Sequence, residues 1–217
     1  MKAPPRLIAI SDSARGAHAE WLENLEAVLA AARPGSVLVL LRDPESPIRE
    51  RLELGRRLRG LSRAYGQLLS VSDRLDLAWL LDADALHLSE ASVSTEVARA
   101  FAGERGRRWW LSRACHDAQQ LLDATADAVL LSPIAEPRKG RPALGVGGLR
   151  QALELRARRA AALGDCAVYA LGGVTRHNAR DLLVAGADGV ALIGELFVPG
   201  AGHELLAALG ISKREPG

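Results

Sequence analysis

Cysteine is almost missing from these 217 residues: Cys115 and Cys166 are the only two. Two thiols cannot build the multi-bridge framework of a small secreted scaffold. Each stands in an apolar run of strand length, so both read as buried structural thiols in a reducing compartment, the cytoplasm. Aromatic residues supply only 4% of the chain, and the 48% hydrophobic fraction rests largely on Ala and Leu, which suits helices packed on a sheet. A charge excess is missing as well. The 28 basic and 26 acidic residues leave a formal net charge of +2, too little to mark a nucleic-acid track. The densest basic group, Arg49, Arg51, Arg56, Arg57 and Arg59, is interleaved with leucines at helical spacing and reads as a solvated helix face. No run approaches the ~20 apolar residues of a membrane span, and Met1–Pro5 holds two prolines and no apolar targeting core. Metal-ligand spacings such as His-Glu-x-x-His or Cys-x-x-Cys are absent. Any metal is then expected to be Mg²⁺, held by scattered carboxylates and substrate phosphate.

What the chain does have is a phrase used three times. Asp82-Ala83-Asp84-Ala85-Leu86-His87-Leu88, Thr125-Ala126-Asp127-Ala128-Val129-Leu130-Leu131 and Gly186-Ala187-Asp188-Gly189-Val190-Ala191-Leu192 each follow an amphipathic segment and open an apolar run. A helix that stops at a small residue and feeds a buried strand is the joint of a βαβ unit. Strands are expected at Leu7–Ser11, Val37–Arg42, Leu68–Ser72, Ala85–Leu88, Trp109–Cys115, Ala128–Pro133, Ala167–Gly173 and Gly189–Gly194. Between them, apolar residues recur at i, i+3 and i+4 in Trp21–Leu29, Ile48–Leu61, Val97–Phe101, Leu149–Leu155 and Ala179–Val184. Eight strand–helix units predict one α/β domain over residues 1–217, a (β/α)₈ barrel with its core at 6–197. An open doubly wound sheet is the competitor. The Pro/Gly-rich stretch Pro133–Gly148 falls between strand six and its helix, where a long loop serves as a lid or binding loop. The polar tail Ile211–Gly217 is expected to fray.

Parallel strands bring their chemistry to their carboxyl ends. Strand seven ends in Leu171-Gly172-Gly173-Val174 before Thr175, a suitable helix N-cap, and strand eight ends in Leu192-Ile193-Gly194-Glu195. Glycines at these two strand ends let backbone N–H groups approach an anion, so Gly172, Gly173, Ile193 and Gly194 are candidate phosphate binders. The alternative is that the glycines only make tight turns. The other strand ends carry Asp12, Arg42 with Asp43, Ser72 with Asp73, Ser89 with Glu90, His116 with Asp117, and Ser132. His116 can titrate near neutral pH and serve as a general acid/base, while Asp117 can simply favour the first helical turn. His87 sits inside an apolar strand and reads as a barrel-lining histidine; His18, His177 and His203 fall on helices or helix starts and read as solvated.

These residues resemble the thiamine phosphate synthase and TenI-type superfamily over about residues 6–197. The matching stretches are Leu7–Asp12, Ser72-Asp73-Arg74-Leu75-Asp76-Leu77-Ala78, Ala83–Leu88, Cys115-His116-Asp117-Ala118, Leu131-Ser132-Pro133 and Tyr169–Val174 on through Asn178 to Ala191. The resemblance implies a barrel that binds a phosphorylated thiazole. Against the synthase pattern, Leu40-Leu41-Arg42-Asp43-Pro44 keeps an Arg but lacks a Gln and a Lys. Ser72-Asp73-Arg74 keeps one Mg²⁺ carboxylate, Asp73, and Ser89-Glu90-Ala91-Ser92 lacks the second. The Thr-x-Thr-Lys loop has no clean counterpart in Glu136-Pro137-Arg138-Lys139-Gly140, although Arg138 or Lys139 can still hold a phosphate. A diphosphate leaving group needs dense positive charge. The expected function is therefore the TenI-type branch, a thiazole tautomerase needing no cofactor, with His116 moving the proton. Arg42, Ser72, Asp73, Ser132, Arg138 and Lys139 would then bind substrate. The alternatives are a thiamine phosphate synthase, which would use Mg²⁺ at Asp73, a non-catalytic phosphate-ligand domain, and another phosphate-handling barrel such as an isomerase of amino-acid biosynthesis. The partner is a small molecule, with no nucleic acid or membrane, and a homo-oligomer is compatible with the sequence.

Overall fold

The three repeated aspartates are staples between neighbouring strands. Asp84 Oδ2 accepts the Leu69 N–H at 2.8 Å, Asp127 Oδ2 the Leu111 N–H at 2.8 Å, and Asp188 Oδ2 the Val168 N–H at 2.8 Å. Each carboxylate thus closes a backbone donor at the start of the preceding strand, at the barrel face opposite the chemistry. Asp84 and Asp127 also hold an arginine from a covering helix, Arg59 on Asp84 at 2.9 Å and Arg99 on Asp127 at 3.0 Å.

The computed structural model describes residues 4–12, 18–163 and 166–213. Strands β1 (Leu7–Ile10), β2 (Val37–Leu41), β3 (Leu68–Ser72), β4 (Ala85–Leu88), β5 (Trp110–Cys115), β6 (Ala128–Leu131), β7 (Ala167–Leu171) and β8 (Gly189–Leu192) alternate with helices. These are α1 (His18–Ala31), α2 (Ile48–Ala64), α3 (Leu75–Leu80), α4 (Thr95–Gly103), α5 (Ala118–Asp123), α6 (Gly145–Leu163), α7 (Ala179–Val184) and α8 (Ala201–Leu209). All neighbours pair in parallel, and β8 returns to β1 with Leu7 opposite Val190, so the sheet closes in the order of the chain. The fold is a single (β/α)₈ barrel. None of the described helices is long and apolar enough to cross a membrane.

Alternation along each strand divides the core in two. Leu7, Ala9, Val37, Val39 and Leu41 face the helices, while Ile8, Ile10, Leu38, Leu40, Leu130 and Ala191 fill the barrel. Its floor is plugged by Trp110 and Tyr169, stacked edge-on at 6.0 Å, with the Tyr169 hydroxyl donating to the Pro5 carbonyl. Gly189 makes room for that plug. A Cβ there would lie 2.6 Å from both the Arg6 carbonyl oxygen and Tyr169 Cε1. Gly189→Ala is expected to lower unfolding free energy by about 1–3 kcal/mol through overpacking. Gly60→Ala is the control, because nothing lies within 4 Å of its Cβ position in α2; that change should stabilise by roughly 0.5–1 kcal/mol. Urea denaturation checks both, and a neutral Gly189→Ala would contradict the packing argument.

Several boundaries differ from the sequence reading. Ser11, Arg42, Pro133, Gly172, Gly173, Ile193 and Gly194 lie just past the last strand residues, in the loops of the barrel mouth, and Trp109 precedes β5. Helix α6 begins at Gly145, so the long loop is 132–144. Thr175 is not the cap of α7: Asn178 is, its Oδ1 accepting the Thr175 N–H at 2.9 Å. The tail does not fray where it is described. Ile211 is fully buried, Ser212 pairs with Ala32 and the Lys213 N–H donates to the Ala31 carbonyl; residues 214–217 and Met1–Ala3 lie outside the described residues. Arg51 leaves the solvated face expected for it: it sits in the buried stripe of α2 with Leu54 and Leu58.

Candidate active site

Three polar clusters and a glycine-lined rim line the mouth. At the ends of β1 and β2, the Ser11 hydroxyl donates to Asp43 and accepts the Arg42 N–H at 3.0 Å. Asp43 is buried, at a φ of 28°. The Arg42 side chain lies 4.0 Å from Asp12 and stays partly exposed.

At the ends of β3 and β4, Asp73 adopts a left-handed backbone with φ 63°, a conformation that costs a non-glycine residue about 1 kcal/mol or more. Its surroundings hold it there. The Asp73 N–H donates to the His87 carbonyl at 2.8 Å, and the Arg51 Nη2 donates to the Ser72 carbonyl at 2.7 Å. The carboxylate accepts the Ser89 N–H at 2.8 Å on Oδ1 and the Ser72 hydroxyl at 2.9 Å on Oδ2. Burial pushes its pKa up, but these hydrogen bonds outweigh burial and hold it below the usual carboxylate range. Sequence reasoning missed Arg51, whose only signal is a charged residue at an apolar-stripe position. Among the described residues no three His, Cys, Asp or Glu side chains gather as a metal cluster. One ionised carboxylate nevertheless fits Mg²⁺, which keeps waters and substrate phosphate oxygens for its other positions.

At the ends of β5 and β6, Asp117 caps α5 through the Gln120 N–H at 2.8 Å, and His116 is fixed on three sides. Its N–H donates to Gln120 Oε1 at 2.7 Å, Nδ1 lies 2.8 Å from the Ser132 carbonyl oxygen, and Nε2 lies 3.5 Å from Glu90 Oε2. The Ser132 hydroxyl is 3.2 Å from the same Nδ1. Glu90 is in turn held by Arg141, whose Nη2 reaches both carboxylate oxygens at 3.1 and 3.2 Å. That guanidinium holds the Glu90 carboxyl below its ordinary range.

Arg141 comes from the loop after β6, which is a built hairpin. Arg138 and Arg141 exchange both N–H to carbonyl bonds at 3.0 Å around Lys139 (φ 51°) and Gly140 (φ 75°). Positive φ at both central residues is the tight two-residue turn that matches strand twist. The side chains of Arg138 and Lys139 are exposed at its tip and form no ion pair among the described residues. The base of this loop zips to β7, with Ile134 N–H on the Leu171 carbonyl at 2.9 Å and Ala135 N–H on the Gly172 carbonyl at 2.8 Å.

That contact explains Gly172 and Gly173. Their φ values are 99° and 68°, and a Cβ on Gly173 would meet the Glu136 side chain at 2.6 Å and its backbone N at 2.9 Å. Close loop packing accounts for the absence of side chains there. Among the described residues, however, the N–H groups of Gly172, Gly173 and Gly194 have no acceptor. These are loop donors, not those of α7, which begins six residues after Gly173.

His87 lines the barrel, with Nδ1 2.9 Å from Ser112 Oγ. Burial pushes its pKa down to about 4. Above pH 6.5 it is neutral folded or unfolded; between 6.5 and 4 the unfolded chain takes up a proton that the native state refuses. Stability is therefore expected to fall by up to about 3 kcal/mol on acidification across that window and to level off below it. His87→Gln should remove about one proton from the pH slope of urea unfolding. An unchanged slope would show that His87 is not the titrating group. Burial likewise pushes Cys115 up to about 12 and Cys166 up to about 11, which keeps both as unreactive thiols. His177 and His203 are exposed. His18 opens α1; its side chain lies outside the described residues.

Known proteins carry the same architecture. A chain from Natronomonas pharaonis named thiamine-phosphate synthase is 38% identical over 184 residues, covering 82% of each chain. A thiamine-phosphate synthase from Gloeobacter violaceus is 34% identical over 178 residues, 81% of this chain but 49% of its own, so the chain spans about half the length of that relative. The solved structure of a thiamine phosphate pyrophosphorylase from Pyrococcus furiosus superposes with a TM-score of 0.78 at 27% identity, covering 94% of this chain and 95% of that one. With residues 7–196 matching the profile of the thiamine monophosphate synthase family, the chain belongs to that family.

Proposed function

We propose that this barrel joins hydroxymethylpyrimidine diphosphate to thiazole phosphate and releases diphosphate, with the synthase reading taking precedence over the tautomerase expected from the sequence. The observation that carries it is Asp73, an ionised carboxylate locked at the mouth by Ser72, Ser89 and, through the Ser72 carbonyl, Arg51. Asp73 with the diphosphate oxygens would hold Mg²⁺, which supplies Lewis-acid stabilisation of the leaving group when bound. Arg42 at the end of β2, and Arg138 and Lys139 on the hairpin, would add positive charge where the departing oxygens gain negative charge. Arg138 and Lys139 would offset the Lys that the synthase pattern has and this chain lacks, while Arg141 is held by Glu90. On the far side, the N–H groups of Gly172, Gly173 and Gly194, flanked by Ile193, would seat the thiazole phosphate. Ser132 would contact substrate between the two halves. Names of relatives at 34–38% identity support the same reading.

The tautomerase is kept as a second reading because of His116, which stands at the end of β5 in a fixed orientation. Its weakness is that both ring nitrogens already face protein groups, Nδ1 the Ser132 carbonyl and Nε2 Glu90. To accept a substrate proton, Nε2 would have to leave Glu90. Incubating the protein with both substrates, with Mg²⁺ and then with EDTA, tests the proposal: thiamine phosphate and diphosphate should appear and stop on chelation. Metal-independent isomerisation of thiazole phosphate alone would favour the tautomerase, and binding without turnover the non-catalytic domain.

A further inference from the structure

We infer that Glu195, with Arg176 as its partner, is a positioning residue for the phosphate seat, fixing the loop after β7 against the turn after β8; this rests on the phosphate seat proposed above. The Glu195 side chain is only 6% exposed, and a carboxylate is rarely buried without a structural task. Its Oε1 accepts two bonds from one residue, the Arg176 backbone N–H at 3.0 Å and Arg176 Nη1 at 2.7 Å. Arg176 lies three residues after Gly173, and Glu195 directly follows Gly194 in the 3₁₀ turn Gly194–Phe197. The pair therefore ties together the two segments that carry Gly173 and Gly194. Within the first segment, Asn178 Nδ2 fixes the Gly173 carbonyl at 2.9 Å.

Arg176 is itself held by two carboxylates. Besides Glu195, its Nε donates to Glu204 of α8 at 3.1 Å. Two carboxylates on one guanidinium leave it little positive charge to offer a phosphate, so the attraction of the seat comes from N–H donors whose spacing the pair sets. An asymmetry follows. Removing Glu195 loosens the spacing, whereas removing Arg176 also leaves a buried anion beside the incoming phosphate.

Calorimetry with thiazole phosphate and with the unphosphorylated thiazole alcohol tests this. Glu195→Ala is expected to weaken thiazole phosphate about tenfold and Arg176→Ala about fiftyfold, with the double variant returning to about tenfold because the stranded anion is gone. Glu195→Gln, which keeps both accepted bonds, should stay within about threefold of wild type, and the alcohol should change less than twofold throughout. Equal losses for ester and alcohol, no recovery in the double variant, or wild type that fails to bind thiazole phosphate would overturn the inference. If that hierarchy holds in a protein that forms no thiamine phosphate, the inference stands and the synthase proposal falls.

Discussion

Asp73→Asn is expected to cut thiamine phosphate formation by about 10²–10³-fold, the cost of losing one preorganised charge-stabilising group at a departing oxyanion. Asparagine keeps an oxygen to accept the Ser89 N–H and tolerates the left-handed backbone, so the φ of 63° does not force the loop to move. What disappears is the negative charge that would hold Mg²⁺. The Mg²⁺ concentration giving half-maximal rate should therefore rise, while thiazole phosphate affinity, proposed for the opposite rim, should stay near wild type. Arg51→Met separates charge from position. It removes the bond to the Ser72 carbonyl without touching the carboxylate, and should reduce the rate through disorder of Asp73 rather than through metal affinity. Steady-state kinetics across a Mg²⁺ titration decides. If Asp73→Asn turned over at the wild-type rate with unaltered Mg²⁺ dependence, the diphosphate would be held elsewhere and the synthase proposal would lose its main support.

The barrel was legible because doubly buried parallel strands are nearly continuous apolar runs, and eight of them leave no edge to explain. The same property blurred their ends. Apolar or small residues continue past the last ladder bond at Gly172–Gly173 and Ile193, so the strands read one or two residues too long, and the mouth residues were placed on strands. The repeated Asp84, Asp127 and Asp188 mark helix-to-strand joints in the sequence, but their bonding to the preceding strand is not a sequence signal. Local chemistry was read well at Asp117, which caps α5, but not at Thr175, where Asn178 three residues on is the cap of α7. It also failed where partners are distant. Nothing local links Arg141 to Glu90, 51 residues away, Arg51 to the Ser72 carbonyl, or Glu195 to Arg176. Nor does the composition of 132–144 reveal its hairpin, because a Lys at positive φ is an uncommon turn residue. The losses counted against a synthase were real. Arg138 and Lys139 were legible as charges in the loop after β6, but the hairpin that presents them was not.

His116→Gln is expected to separate the two chemistries. If the barrel moves a proton on the thiazole, losing the imidazole should cost about 10²–10⁴-fold in that isomerisation, the usual weight of a general acid/base. Coupling of the thiazole nitrogen to the pyrimidine carbon requires no such transfer, and there the loss should stay below about tenfold, reflecting only the Ser132 and Glu90 contacts. Glutamine preserves part of that framework, since its amide can still donate toward the Ser132 carbonyl, 2.8 Å from Nδ1 in the native site. Glu90 remains held by Arg141, so no buried charge is stranded and the melting temperature should move little. The measurement is two rates on one protein: thiamine phosphate release with both substrates, and isomer interconversion with thiazole phosphate alone. A deep loss confined to isomerisation returns the function to the tautomerase branch. A deep loss in coupling makes His116 part of the transferase site, acting through Ser132 beside the hairpin. A shallow loss in coupling, with no isomerisation in wild type, leaves His116 as the fixed post against which Glu90 and Arg141 set the hairpin's basic tip over the diphosphate.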